Sequence, residues 1–284
     1  MRISVSTGTL FIFPLPKIFE MAAAAGFDGL ELIINQDLEH VDSPKLLAEL
    51  SAIMPILSIH APFMSLAGWG NPIDSLKRSV DLAVAAGVPL VNFHPPSWAG
   101  LELSFWRWMY RIQDFQKEVG GGEVKLTLEN MPWEGRLKIN EYILSQSEKM
   151  VEFVTERNLD LTFDCTHMGS GKTNFINDFY LFYGSGRVRN IHFSDYGYGR
   201  QHLLPGRGTL PLTRFLNHLR TVAYDETLTL ELLPNEFPKD ERVIVESLKE
   251  ILQYLRRETA RSTADGVPSQ SPSPPFPTAP PAAE

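Results

Sequence analysis

The chain has 284 residues, close to the usual size of one α/β barrel, and its 43% hydrophobic content is enough to bury a large core. A formal net charge of -8 leaves no broad basic surface, which disfavours binding along a nucleic-acid backbone. No apolar run approaches the roughly 18 residues of a membrane span, and Met1-Arg-Ile-Ser-Val-Ser lacks the charged-then-apolar order of a secretion signal.

A cytoplasmic protein is therefore expected. The single cysteine, Cys165, cannot form an internal disulfide and reads best as a small buried hydrophobe.

Taken in chain order, β-rich apolar runs fall at Ile3–Thr7, Gly29–Ile33, Ile56–His60, Leu90–His94, Lys125–Glu129, Leu161–Asp164, Asn190–Phe193 and Thr227–Glu231. Each is followed by a longer helical stretch. Parallel strands covered on both faces read as near-continuous apolar runs, and eight such strand–helix units close into a single (β/α)8 TIM barrel.

The punctuation agrees. Pro16 begins and Gly26 ends the first helical stretch, and Asn71-Pro-Ile-Asp with Ala86-Gly-Val repeats that grammar for the third. The aromatic fourth helix around Phe105-Trp-Arg-Trp-Met-Tyr reads as a packing face and carries no chemistry. After Arg257 the chain turns rich in Pro, Ser and Ala. The barrel is expected to span 1–258, and 259–284 to be a disordered tail.

Reactive groups of such barrels collect at the C-terminal ends of the strands. Here those ends carry Glu31, His60, His94, Glu129, Asp164 with His167, His192 with Asp195, and Glu231. One strand-end acid or imidazole has bland explanations. Seven such strand ends on one rim would bring together carboxylates that repel and are desolvated unless a cation held them together. Mixed carboxylate and imidazole donors suit Mn, Zn, Co or Fe as the divalent metal, with Mg less at home. Of the remaining histidines, His202 follows the seventh strand, whereas His40 and His218 read as structural.

The motifs Ile-His-Ala-Pro-Phe, Leu-Glu-Asn, Phe-Asp-Cys-Thr-His, His-Phe-Ser-Asp, His202-Leu-Leu-Pro-Gly-Arg-Gly and Leu-Glu-Leu together resemble the xylose isomerase-like TIM barrel superfamily over about residues 1 to 257. That superfamily includes sugar phosphate isomerases and epimerases and the endonuclease IV type of apurinic endonuclease. The epimerase branch implies one metal held by Glu129, Asp164, His192 and Glu231, with His167 and Arg200 touching substrate.

The endonuclease branch implies three zinc ions and adds His60, His94, His167 and His202. That branch carries an aspartate two residues before the last histidine, where this chain has Arg200. Met131-Pro-Trp-Glu-Gly also stands in place of its glycine-rich stretch.

The resemblance implies an isomerase or epimerase of a small sugar, sugar phosphate or related hydroxy-carbonyl compound. Its metal would stabilise an enediolate, with Glu129 and Glu231 moving the proton as base and acid. An endonuclease IV-like zinc phosphodiesterase, a polyol dehydratase and a non-catalytic sugar-binding barrel are the alternatives.

His60 and His94 are expected to form a second metal site or to bind substrate, and Glu31 to support a ligand or bind substrate. Trp69, Trp98 and Trp133 are pocket walls or packing anchors, Trp133 being the candidate for substrate contact. The stretch from Arg200 to Gly208 reads as a mobile lid. The expected partner is a small carbohydrate-like molecule, with no membrane; homo-oligomerisation is left open.

Overall fold

The structure is a computed structural model and describes residues 1–38, 43–135, 137–171 and 174–260. His40, and the tail from residue 261, therefore lie outside the described residues. The parallel strands are β1 (Arg2–Ser6), β2 (Gly29–Ile33), β3 (Ile56–His60), β4 (Leu90–Phe93), β5 (Lys125–Glu129), β6 (Asp160–Asp164), β7 (Val188–Phe193) and, last in the chain, β10 (Thr227–Leu230). They close in the order β1-β10-β7-β6-β5-β4-β3-β2.

All eight expected strands are present, with ends shifted by no more than two residues. Between β7 and β10 the chain adds an unexpected antiparallel hairpin of β8 (Asp195–Gly197) and β9 (Arg200–Leu203).

The helices lie outside the barrel because alternate strand residues are large, apolar and turned outward. Phe93, Leu128, Phe163, Ile191 and Leu230 are all at most 3% exposed and form one core with the helices. Phe163, for example, packs against Phe179, Phe182 and Phe215 at 5.3 to 5.9 Å between ring centroids. The first helix, Leu15–Ala25, has Pro16 in its first turn and ends at Gly26 in the left-handed region (φ 90°), as its sequence requires. The last, Glu241–Thr259, carries the barrel to residue 259. Among the described residues no helix is long and apolar enough to cross a membrane.

The barrel interior departs from the apolar filling expected of it. The inward positions are Ser4, Ser58, Asn92, Thr127, Thr162, Asn190 and Thr229, each at most 2% exposed. They satisfy one another. Ser4 Oγ lies 2.8 Å from Thr229 Oγ1, which donates to Asn190 Oδ1 at 2.8 Å. Thr162 donates to Thr127 at 2.9 Å, and Thr127 donates to Asn92 at 3.2 Å. Buried hydroxyls and amides are tolerable in a core only when paired in this way.

Candidate metal centre

Two residues beyond each member of this polar layer except Ser4, and therefore on the same face of its strand, stands an acid or a histidine. The pairs are Ser58/His60, Asn92/His94, Thr127/Glu129, Thr162/Asp164, Asn190/His192 and Thr229/Glu231. Period two thus lifts the six side chains into one ring above the paired layer.

Within the ring, Glu129, Asp164, His192 and Glu231 offer donor atoms that all lie within 4.8 Å of one another. His192 is central: its Nδ1 is 2.8 Å from Glu231 Oε2, 3.4 Å from Glu129 Oε1 and 3.8 Å from Asp164 Oδ2. Its Nε2 meets Glu31 Oε1 at 3.1 Å on the far side. Glu31 is fully buried and also accepts from Ser58 and Asn190 at 2.9 and 3.2 Å. It is a supporting carboxylate that orients the imidazole and leaves Nδ1 free for a ligand.

Asp164 Oδ2, His192 Nδ1 and Glu231 Oε2 are buried without a hydrogen-bond partner. Two carboxylate oxygens and an imidazole nitrogen converging on one buried point are a donor set that suits a divalent cation.

The electrostatics agree. Burial alone would raise Glu129 and Glu231, but the imidazoles outweigh it, His192 foremost, and hold Glu129 well below the usual carboxylate range and Glu231 down to about 2. Burial alone would depress His192, yet Glu31, Glu129 and Glu231 drive it well up. Asp164 is raised by burial.

Two further donor groups flank this set. His60, His94 and Glu129 form one, with His60 Nε2 and His94 Nε2 at 3.3 and 3.6 Å from Glu129 Oε2. Asp164, His167 and His202 form the other. His60 Nδ1 faces the Ala61 carbonyl at 2.9 Å, which turns Nε2 inward. His202 sits in the left-handed region (φ 52°), a strained backbone for a histidine, and its ring meets that of His167 edge-on at 5.2 Å.

Asn130, quoted in a motif but given no role from sequence, joins two ligands. Its side chain accepts from Asp164 N at 2.8 Å and donates to Asp164 O at 3.0 Å, continuing the β5–β6 pairing past the end of the sheet.

Other expected site residues are placed differently. Arg200 turns away from the ring and pairs with the buried Glu236 at 2.8 Å; Arg207 reaches the same carboxylate at 3.4 Å. The expected lid is held in place, because Asp195 accepts backbone N–H groups from Tyr196, Gly206, Gly208 and Leu210 at 2.8 to 3.0 Å. Only glycine fits at 208, where a Cβ would lie 2.5 Å from the Tyr196 carbonyl. Trp69 is 1% exposed beneath Arg78 and is a packing anchor rather than a wall. Trp98 donates to the Asn140 carbonyl at 3.1 Å, and Trp133 borders a cavity with Lys138 and Tyr196. His218 is bonded to Tyr180 on the surface, and Cys165 is buried and free.

The family description "xylose isomerase-like TIM barrel" matches residues 19–258. The chain belongs to that family. An uncharacterised relative from Mycobacterium leprae (strain TN) is 26% identical, covering 90% of this chain and 98% of its own. Among solved structures, a D-tagatose 3-epimerase-like protein superposes with a TM-score of 0.66 at 21% identity, covering 92% of this chain and 100% of its own. Endonuclease IV from Thermus thermophilus does so with a TM-score of 0.59 at 16% identity, covering 90% and 100%. At these identities the structures establish the barrel, while the family's range of chemistry is left to be argued from the site.

Proposed function

We propose that this family member is a divalent-metal-dependent isomerase or epimerase of a small sugar or related hydroxy-carbonyl compound. The observation carrying this reading is the convergence of Asp164 Oδ2, His192 Nδ1 and Glu231 Oε2, buried and unpartnered, beside Glu129. Glu129, Asp164, His192 and Glu231 would hold the ion, which when bound supplies Lewis-acid polarisation of a carbonyl and its neighbouring hydroxyl. Mn, Zn, Co or Fe suit this donor set.

The chain's own part is proton transfer. Glu129 on β5 and Glu231 just beyond β10 stand three strands apart round the barrel, so they approach a bound substrate from different sides. One takes the proton from the carbon beside the carbonyl and the other returns it to the opposite face of that carbon, inverting it; returned instead to the former carbonyl carbon, with the hydroxyl proton passing to the other oxygen, it moves the carbonyl. Glu231 is the more open, with 15% of its side chain exposed against 1% for Glu129. Burial of Glu129, Asp164 and His192, and of the polar layer beneath them, would shield the proton being transferred from bulk water.

The test is exchange of substrate carbon-bound hydrogen with solvent deuterium by the metal-loaded chain. Exchange into a ketose or aldose, lost in both Glu129→Gln and Glu231→Gln, supports the reading; no exchange across a panel of sugars and sugar phosphates removes it.

A second reading is favoured by the two flanking groups, His60/His94/Glu129 and Asp164/His167/His202. Filled together with the central set they would make a zinc phosphodiesterase centre of the endonuclease IV kind. Elemental analysis separates the two: about one transition metal per chain supports the isomerase, and two or three zinc ions support the phosphodiesterase.

A further inference from the structure

We infer that the part of the substrate lying beyond the ring on the side of the loops after β1 and β3 is an uncharged, apolar group, and that Phe63 and Met64 bind it. The inference rests on the metal-centred reading above and adds the chemical class of the part of the substrate that the ring does not touch.

The rim of the barrel is divided. The loops after β1 and β3 present Phe11, Ile12, Phe63 and Met64, exposed by 62, 49, 52 and 62%. The nearby Arg200 and Arg207 are both paired with Glu236, on the loop after β10. Large side chains left open at a mouth mark a surface that something covers. Phe63 connects that surface to the centre: its ring stacks on His94 at 5.6 Å and meets His60 edge-on at 5.7 Å.

Two cavities share the Phe63–Met64 ridge. One, of about 530 Å3, lies beside His94 and is bounded by Pro95, Tyr142, Glu102 and Glu141. The other, of about 360 Å3, is bounded by Phe11, Ile33, Ile34, Leu66 and Asp37. Among the described residues neither is lined by lysine or arginine, and the charges that do line them are all acidic. A phosphate or carboxylate placed there would be desolvated against like charge. An alkyl or aryl group would bury its own surface and that of Phe63 and Met64 at once.

The experiment measures, by calorimetry on the full chain, the affinity of three compounds that share a hydroxy-ketone head. These are 1-hydroxy-4-phenylbutan-2-one, 1-hydroxybutan-2-one and dihydroxyacetone phosphate, each with Mn2+ and again with chelator. The phenyl compound should bind at least about tenfold more tightly than the butanone, with the phosphate weakest. Phe63→Ser and Met64→Ser should each shrink that ratio.

Equal binding of the phenyl and butyl compounds, tightest binding of the phosphate, or a ratio unchanged in both variants overturns the inference. The two readings fail separately. If Mn2+ strengthens every head group without a phenyl preference, the apolar wall is wrong and the metal centre stands; if a phenyl preference is indifferent to Mn2+, the wall stands and the metal centre is wrong.

Discussion

His192 Nε2 is hydrogen-bonded to Glu31 Oε2 at 3.2 Å with both side chains fully buried, and the imidazole thereby joins a carboxylate on β2 to the donor ring across the barrel. Such a partner fixes the ring's tautomer and raises its basicity as a ligand, and its loss typically weakens metal affinity by about 10 to 100-fold. Glu31→Gln should fall in that range, measured by competition with a fluorescent chelator, while the barrel stays folded by circular dichroism. Affinity equal to that of the unaltered chain would show that Glu31 serves only the polar core.

Asn130 should matter to the metal without touching it. Asn130→Ala leaves the buried Asp164 backbone N–H and C=O without the partners they now have, a cost of about 1 to 3 kcal/mol in stability. It also frees the end of β6 that presents Asp164. Chemical denaturation and metal titration of the variant should both register the change, and a loss of stability with metal affinity intact would confine Asn130 to a structural role.

Metal binding should release protons at neutral pH. Burial would depress His167, but Asp164, Glu129 and Glu231 hold it up to about 9, and His192 is driven well above its ordinary value by Glu31, Glu129 and Glu231 against the same burial. His167 is therefore protonated near pH 7 in the metal-free chain and His192 is biased towards its protonated form, so that an ion at His192 Nδ1 competes with a proton. Calorimetry in buffers of differing ionisation enthalpy should give about one or more protons released per ion.

The sign for stability follows: the folded-state values are raised, so these histidines stabilise the metal-free chain fully below about pH 6.5. That contribution is lost as pH rises through about 9 for His167. Thermal unfolding with chelator present should track that loss, and the loaded chain should not.

Removing the Asp195 carboxylate should loosen the segment after β9. Asp195→Ala strips the acceptor from four backbone N–H groups, a loss of about 2 to 4 kcal/mol. Faster amide exchange should appear at Gly206, Gly208 and Leu210, and exchange unchanged there would mean that the glycine turns alone set the loop.

Most of the barrel was legible because its strands are short runs of Ile, Leu, Val and Phe between Pro- and Gly-punctuated helices. The ring was legible because acids and histidines at strand ends are chemically conspicuous. The layer beneath it was not, since a serine, threonine or asparagine inside a strand is unremarkable by itself. The signal lay in its recurrence: Ser-Ile-His, Asn-Phe-His, Thr-Leu-Glu, Thr-Phe-Asp, Asn-Ile-His and Thr-Leu-Glu each set a polar residue two before a ligand. Glu236 could not have been found that way. It sits on the loop after β10, distant in sequence from Arg200, and nothing in its spacing marks the pair. The Arg200–Gly208 glycines suggested a hinge because the anchoring carboxylate, Asp195, had been grouped with the strand-end acids.

The Arg200–Glu236 pair also ties the loop after β7 to the loop after β10. An aspartate in place of Arg200, as the resemblance to the endonuclease branch would imply, would break that tie. Glu236 is 4% exposed and would be left with Arg207 at 3.4 Å as its one remaining charged partner among the described residues, now facing a second acid. The substitution would therefore be penalised before any new ion could reward it. The pair thus couples two loops, one after β7 and one after β10, so that a change at position 200 carries its cost to the other loop.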